Sequence, residues 1–312
     1  MYDFIIPEPG ESGPGPKREE VESCLRKKFH TPLFSKFAKA IRQYELLKPG
    51  DKVAVCISGG KDSMLMAKLG QELKRHDKFP FELEFLVMDP GYREENRKKI
   101  EENARLLGVP VRIFESQIFD AVDVIEKSPC YICARMRRGY LYRAAKELGC
   151  NKIALGHHYD DVIETILMGL LYAGQFQTMM PKLHSTNFEG MELIRPMYLI
   201  REEDIIRWKD FHGLTFLQCA CHFTENCWTV REDGTAASKR LETKRLIAEL
   251  KKTNPYVESN LFQSVTNVSL KTVIAYKDQS GVAHHFLEKY DGVRPPDPEK
   301  SGTQILRPEN ES

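Results

Sequence analysis

Apolar positions change their period along this chain, and each change marks an element. Leu33, Phe34, Phe37, Ile41 and Tyr44 recur at helical spacing and predict a helix packed on the body of the molecule. From Val53 to Ile57 the sequence is continuously apolar, the mark of a strand buried on both faces. It runs into Ser58-Gly59-Gly60-Lys61-Asp62-Ser63, after which Leu65, Met66, Leu69 and Leu73 return to a helical period. Phe81, Leu83, Phe85 and Val87 alternate, predicting a second strand that ends at Asp89-Pro90-Gly91. A charged helix over 93–107, a strand over 109–114, a helix over 134–148, a strand over 152–155 and a helix over 160–171 follow. Strand and helix alternate, so the expected fold class is α/β, a doubly wound parallel sheet with right-handed crossovers. After residue 200 helical patterns dominate, around 202–211, 238–252 and 255–268.

Punctuation sets the expected boundaries. Pro7, Pro9, Gly10, Gly13, Pro14, Gly15 and Pro16 cannot hold regular structure for long. Residues 1–32 are therefore expected to form a flexible N-terminal arm, with 33–218 the α/β domain. Residues 219–290 are expected to be a mostly helical C-terminal region, and 291–312, with Arg294-Pro295-Pro296-Asp297-Pro298, a disordered tail. No internal repeat is visible.

Composition narrows the classes. Lys+Arg minus Asp+Glu is 46 − 45 = +1, which excludes a global basic field and confines any nucleic-acid contact to a local patch. No run approaches the roughly 18 apolar residues of a membrane span, and residues 1–15 lack the basic-then-apolar layout of a signal peptide. A cytoplasmic protein without a membrane partner is expected. Eight cysteines in a reducing compartment point to metal ligands or reactive thiols rather than disulfides.

Two constellations carry chemistry. In the first, Gly59 and Gly60 let the backbone turn tightly and approach a ligand, and loop N–H groups with the following helix N-terminus form an anion site. Ser58 and Ser63 add hydroxyls, Lys61 adds charge, and Asp62 beside a phosphate implies Mg²⁺ or a chemical role. The bland alternative is a capped strand-to-helix turn. The loop is not a Walker A sequence; Ser-Gly-Gly-x-Asp-Ser resembles the PP-loop of ATP pyrophosphatases. That resemblance implies cleavage of ATP between the α and β phosphates, pyrophosphate in the loop, and adenine near Val87-Met88-Asp89.

In the second, Cys130-Tyr131-Ile132-Cys133 follows Pro129 at the start of a helix, where the N-terminus and Arg135, Arg137 and Arg138 favour thiolate. Cys219, Cys221 and Cys227 lie far downstream, so a shared site would be closed by tertiary structure. Spacing alone leaves zinc, an iron–sulfur cluster and redox chemistry open. Cys24, Cys56 and Cys150 read as packing residues. The arginine-rich run 134–146 is a candidate RNA contact. The basic stretch containing Lys239, Arg240, Lys244, Arg245, Lys251 and Lys252 is divided between RNA contact and a solvated helix face.

Cys130 to Arg143, reading Cys-x-x-Cys-x-Arg-x-Arg-Arg-Gly-x-Leu-Tyr-Arg, and Lys152 to Asp161, ending Gly156-His157-His158-Tyr159-Asp160-Asp161, resemble the TtcA-type tRNA 2-thiocytidine synthetases. Pro181-Lys182-Leu183 and Ile194-Arg195-Pro196 extend the likeness, which covers about 34–268. It implies a PP-loop fold, ATP, Mg²⁺ and a [4Fe-4S] cluster held by Cys130, Cys133 and Cys219. It also implies nucleotide contacts at Ser58, Gly59, Gly60, Lys61, Asp62, Ser63, Met88 and Gly156, and chemistry at Asp62 and Asp161. The implied reaction adenylates the C2 oxygen of a tRNA cytidine, at position 32, and replaces it with sulfur. A homodimer and a sulfur donor, cysteine desulfurase or free sulfide, complete the implied picture. The chain departs from the family at Cys219-Ala220-Cys221, where a second C-x-x-C is usual, and carries an insertion at about 224–237. Sulfur transfer to another RNA position or a small molecule, and a zinc-stabilised nucleotide-binding protein, are the alternatives.

Overall fold

A strand buried on both faces needs a layer of helices on each side, and the chain supplies both. The computed structural model describes residues 3–5, 16–116, 118, 129–217 and 239–290. Its strands are β1 (Asp3–Ile5), β2 (Lys52–Ile57), β3 (Glu82–Asp89), β4 (Val111–Glu115), β5 (Lys152–Ala154), β6 (Lys182–His184) and β7 (Glu192–Ile194). They form one sheet in the order β1-β4-β3-β2-β5-β7-β6. β4, β3, β2, β5 and β7 are parallel, while β1 and β6 are antiparallel edge strands.

The helices are α1 (Arg18–Arg26), α2 (Lys36–Gln43), α3 (Lys61–Arg75), α4 (Glu94–Leu107), α5 (Pro129–Glu147), α6 (Tyr159–Ala173), α7 (Glu202–Phe211), α8 (Lys239–Thr253) and α9 (Val257–Ser264). The period of two along β2 sorts its side chains between two cores. Val53, Val55 and Ile57 join the larger one with residues of α1, α3, α4 and α7. Ala54 and Cys56 join the other with Tyr142, Ala144 and Ala145 of α5. Both faces are dry, which is why the β2 sequence shows no polar alternation. No helix among the described residues is long and apolar enough to cross a membrane.

β2, β3 and β4 step outward in one direction, and β5 then returns to the opposite side of β2. Ligands of open α/β sheets lie at the carboxyl ends of the strands beside such a reversal, here between the ends of β2 and β5.

The structure redraws the expected boundaries. Residues 1–2 and 6–15 and the tail 291–312 lie outside the described residues. Residues 18–32, expected as arm, instead form α1 and a turn of wide helix over His30–Ser35. Val21 and Leu25 have no exposed surface, and Phe29 is 1% exposed. Buried Lys68 of α3 donates to Glu22 and to the Leu107 carbonyl, at 2.8 Å each, locking α1 to the body. The stripe is only three apolar residues at a spacing of four, overshadowed in sequence by the proline-rich stretch before it.

α5 begins at Pro129 rather than 134, so the cysteine pair lies inside its first turn. Of the region 219–290, expected to be mostly helical, residues 239–290 are described, and they contain a hairpin as well as helices. The chain divides into two compact units, Met1–Phe262 and Gln263–Ser312. α8 packs on α6 in the first unit through Ile247, Ile163 and Leu167. The second unit contains a hairpin, β8 (Ala275–Lys277) with β9 (Ala283–His285), whose three-residue strands are too short for a readable alternation.

Candidate active site

The loop after β2 is built by its own side chains. Gly59 has φ +82°, and a Cβ there would lie 2.6 Å from Ile100 Cγ1 and 3.0 Å from Leu217 Cδ1, so conformation and space both demand glycine. Ser63 Oγ accepts from the Ser58 N–H at 3.1 Å, lies 3.2 Å from Ser58 Oγ and donates to the Gly60 carbonyl at 3.1 Å. Ser63 thus braces the loop from inside, leaving Ser58 the exposed hydroxyl. Gly60 caps α3 in an extended conformation, so the free N–H groups of the first turn open into the loop. Across the switch point, a Cβ on Gly156 would lie 3.2–3.3 Å from backbone atoms of Asp62 and Ser63. Glycine after β5 is what lets the chain there approach the first turn of α3.

A cleft of about 330 Å³ opens here, lined by Ser58, Asp62, Ser63, Met88, Gly156 and Asp161 together with Arg137 of α5. The structure therefore brings six of the sequence-predicted residues to one cleft, with Gly59 and Gly60 in the loop behind them. Lys61 turns elsewhere. Its ammonium lies 3.2 Å from the Asp62 carboxylate and 3.1 Å from Glu202 of α7, facing a second cavity of about 670 Å³ on the far side of the loop.

Asp62 and Asp161 flank His158, whose Nε2 lies 3.8 Å from Asp62 and 3.5 Å from Asp161. Burial raises the Asp62 pKa, with Lys61 and His158 opposing. Burial also works against ionisation of Asp161, but His158, Arg240 and His157 outweigh it and hold its pKa below the usual range. Two nearby carboxyls with pKa values pushed apart are the arrangement by which enzymes separate acid from base roles. Oδ1 of Asp62 is buried and accepts no hydrogen bond, though the Lys61 ammonium lies 3.2 Å from it as an ion pair. Burial drives His157 down to about 4, so it is neutral, and its buried Nδ1 has no partner either.

Asp161 also accepts the His158 N–H at 3.0 Å, holding the α6 N-terminus. Asp160 is structural: Arg201 grips it from 3.0 Å and the Glu202 N–H donates to it at 2.6 Å. Tyr142 is packing, stacked on Phe188 at 5.1 Å.

Sequence reasoning missed four site residues. Arg240 Nη1 lies 2.7 Å from Asp161, with its Nε 3.6 Å from Glu164. Lys244 pairs with Glu202, so Lys61 and Lys244 share one carboxylate. Glu164 is 5% exposed, and burial pushes it up to about 7 despite Arg240. Arg240 and Lys244 are four residues apart, one turn of one helix face, which was the available signal. The basic stretch is thus neither a solvated face nor a free patch at these two positions.

Cys130 and Cys133 lie in the first turn of α5, but their side chains are outside the described part; Cys133 precedes Arg137 by one helical turn. Cys219, Cys221, His222 and Cys227, and the insertion at 224–237, lie outside the described residues. Two residues before Cys219, the Leu217 N–H donates to the Gly59 carbonyl at 3.2 Å. Among the described residues no group of three or more His, Cys, Asp or Glu side chains is arranged to hold a metal ion. Cys56 and Cys150 are buried thiols raised to about 12 and about 11 by burial, inert packing groups as expected.

A braced glycine loop at a switch point, faced by carboxyls of divergent acidity, defines an α/β enzyme of the nucleotide-activating kind. A family model described as a PP-loop domain matches residues 30–222. The tRNA-cytidine(32) 2-sulfurtransferase of Anaeromyxobacter dehalogenans is 35% identical over 235 residues, 74% of this chain and 77% of that protein. The protein of the same name from Citrifermentans bemidjiense is 34% identical over 242 residues, 76% and 91% respectively. Among solved structures, the U34-tRNA thiolase NcsA from Methanococcus maripaludis, with its [4Fe-4S] cluster, matches at TM-score 0.57 and 20% identity over 83% of this chain and 85% of that one, a likeness of fold. The chain belongs to the PP-loop family, in its tRNA-cytidine(32) 2-sulfurtransferase branch, and is a sulfurtransferase.

Proposed function

We propose that this enzyme thiolates a tRNA cytidine, position 32, in two steps. ATP occupies the cleft between β2 and β5, with adenine toward Met88 and its phosphates on the loop from Ser58 to Ser63. The cytidine O2 attacks the α phosphorus, the bond between the α and β phosphates breaks, and pyrophosphate leaves. A sulfur nucleophile then attacks C2, and AMP departs with the former oxygen. Asp161, held ionised, and Asp62, whose carboxylate is paired with Lys61 and faces the cleft, act at the reacting phosphate, through Mg²⁺ or a proton. Neutral His157 supplies a hydrogen-bonding nitrogen without adding charge.

Cys130, Cys133 and Cys219 would hold a [4Fe-4S] cluster, whose open iron supplies a site for binding hydrosulfide. Supporting that set, both chain segments that carry these cysteines reach the loop: α5 through Arg137 in the cleft, and the chain before Cys219 through Leu217 on Gly59. The same reading includes a sulfur donor, a cysteine desulfurase or free sulfide, and a homodimer. The observation that carries it is the meeting of Asp62, His158 and Asp161 over the phosphate loop, within a chain of this family.

The test is anaerobic purification with iron analysis, and mass spectrometry of tRNA nucleosides from cells lacking the protein. Loss of 2-thiocytidine, restored by the intact chain but not by Cys130→Ala or Asp62→Ala, is the expected result. Cys130→Ala loses iron, whereas Asp62→Ala keeps it and no longer makes AMP. Unchanged 2-thiocytidine would remove the substrate assignment, and stoichiometric zinc without iron would remove the cluster.

A further inference from the structure

Two carboxyls that act on one reacting group need a fixed separation and a fixed orientation, while like charge drives them apart. α6 fixes half of Asp161, because the His158 N–H donates to its Oδ2 at 3.0 Å. The other half is held by a helix far along the chain. Arg240 Nη1 of α8 donates to Oδ1 at 2.7 Å, so both oxygens are engaged and the plane of the carboxylate is set. Four residues on, Lys244 pairs with Glu202 of α7, which lies 3.1 Å from Lys61, and Lys61 in turn lies 3.2 Å from Asp62. α8 thus reaches both carboxyls, Asp161 directly and Asp62 through a chain of alternating charge. The helix is firmly seated for this. Thr243 has no exposed surface, and Ile247 packs on Ile163 and Leu167 of α6, the helix whose first turn carries Asp161. Residues 240, 243, 244 and 247 share one helix face, so the packing that seats α8 also aims its cations.

Resting on the roles of Asp62 and Asp161 in the proposed chemistry, we propose that α8 is a clamp on the two reacting carboxyls. Arg240 is the positioning residue for Asp161, and Lys244, acting through Glu202 and Lys61, is the positioning residue for Asp62. Each of the two cations is matched by a carboxylate of the protein itself, so its work is orientation rather than capture of a ligand. Losing an arm frees a carboxyl to turn about its own side-chain torsions. A displacement of about 1 Å near the reacting atoms can cost about a hundredfold in rate, so turnover falls while ATP still binds.

Rates of tRNA-dependent AMP formation by the purified full chain separate kcat from the KM for ATP. Arg240→Met keeps an apolar stem and should lower kcat about tenfold or more, with KM within about twofold of wild type. Arg240→Lys restores a cation and should recover several-fold of that loss. Lys252→Met, on the same helix but paired with exposed Glu249, should change neither constant. The deciding measurement is a double-mutant cycle, read in single turnovers with enzyme in excess. In Asp161→Asn, Arg240→Met should have no further effect, because the group it orients has already lost its role. Lys244→Met should still lower the rate in that background, since it acts through the other carboxyl. Where Arg240→Met does not fold, Arg240→Gln and Arg240→Lys enter the same cycle. An unchanged kcat in Arg240→Met, or its full further loss on top of Asp161→Asn, overturns the clamp. A raised KM with kcat unchanged also overturns it, and would make Arg240 a nucleotide ligand instead. Failure of the underlying reading looks different: Asp161→Asn alone would then turn over at the wild-type rate.

Discussion

At the scale of single residues, the site is defined by buried polar groups held away from their ordinary ionisation. Glu164 is the sharpest case because burial lifts it to about 7. A carboxyl whose folded pKa exceeds its ordinary value of 4.5 binds protons more tightly when folded. Its stabilising contribution is therefore complete below about pH 4.5 and disappears as pH rises through 7. Glu164→Gln removes this dependence. The stability of wild type relative to the variant should fall by roughly 1–3 kcal/mol between pH 5 and pH 8. Denaturant melts across that interval measure it, and a gap that stays constant would show that Glu164 titrates normally. Gly59 and Gly156 act by having no side chain: one permits the loop's left-handed turn, the other lets the chain after β5 approach the first turn of α3.

At the scale of elements, two helices do more than cover the sheet. α1 seals the larger core: Val21 and Leu25 are buried in it rather than in solvent, and Phe29, just past the helix, packs edge-on against Phe211 of α7. Leu25→Ala should cost about 2–5 kcal/mol, as deletion of a fully buried leucine does, and lower the melting temperature accordingly. A change below about 0.5 kcal/mol would return residues 18–32 to the status of a mobile arm. α8 is the other. Its apolar Ile247 packs on Ile163 and Leu167, while Arg240 and Lys244 reach over the phosphate loop. An amphipathic helix normally turns its charges to water, but here two of them meet a ring of carboxylates contributed by α6 and α7.

At the scale of the molecule, net charge sets how RNA is met. With +1 overall, attraction to a polyanion depends on where cations are concentrated. α5 exposes Arg135, Arg138, Arg143 and Lys146 beyond the turn that carries the cysteine pair, while its opposite face packs on the sheet through Tyr142, Ala144 and Ala145. If these four cations contact phosphates, tRNA affinity should fall with salt at a log–log slope of roughly −3. Replacing all four by alanine should remove most of that slope while ATP binding persists, as filter binding at graded ionic strength would show. A slope unchanged in that variant would move the RNA surface elsewhere.

Much of this was legible in the chain itself. β2, the glycine loop, α3 and the strand ending before Gly156 were readable because each is a local signal: a buried strand cannot alternate, and a tight anion loop needs glycine. That Asp62 and Asp161 belong to one site was implied by the family resemblance. The burial of α1 was not legible, because three apolar residues form a stripe only when something lies beneath them. Nor was the inward turn of Arg240 and Lys244, since a basic helix face reads the same whether it meets water or carboxylates. Sequence determined which local geometries were possible and which side chains were available. Tertiary structure alone decided which charges faced one another, because an ion pair spanning 79 residues, Arg240 to Asp161, has no local signature. Its energy depends on distance in space and on burial, quantities that exist only once the chain has closed on itself.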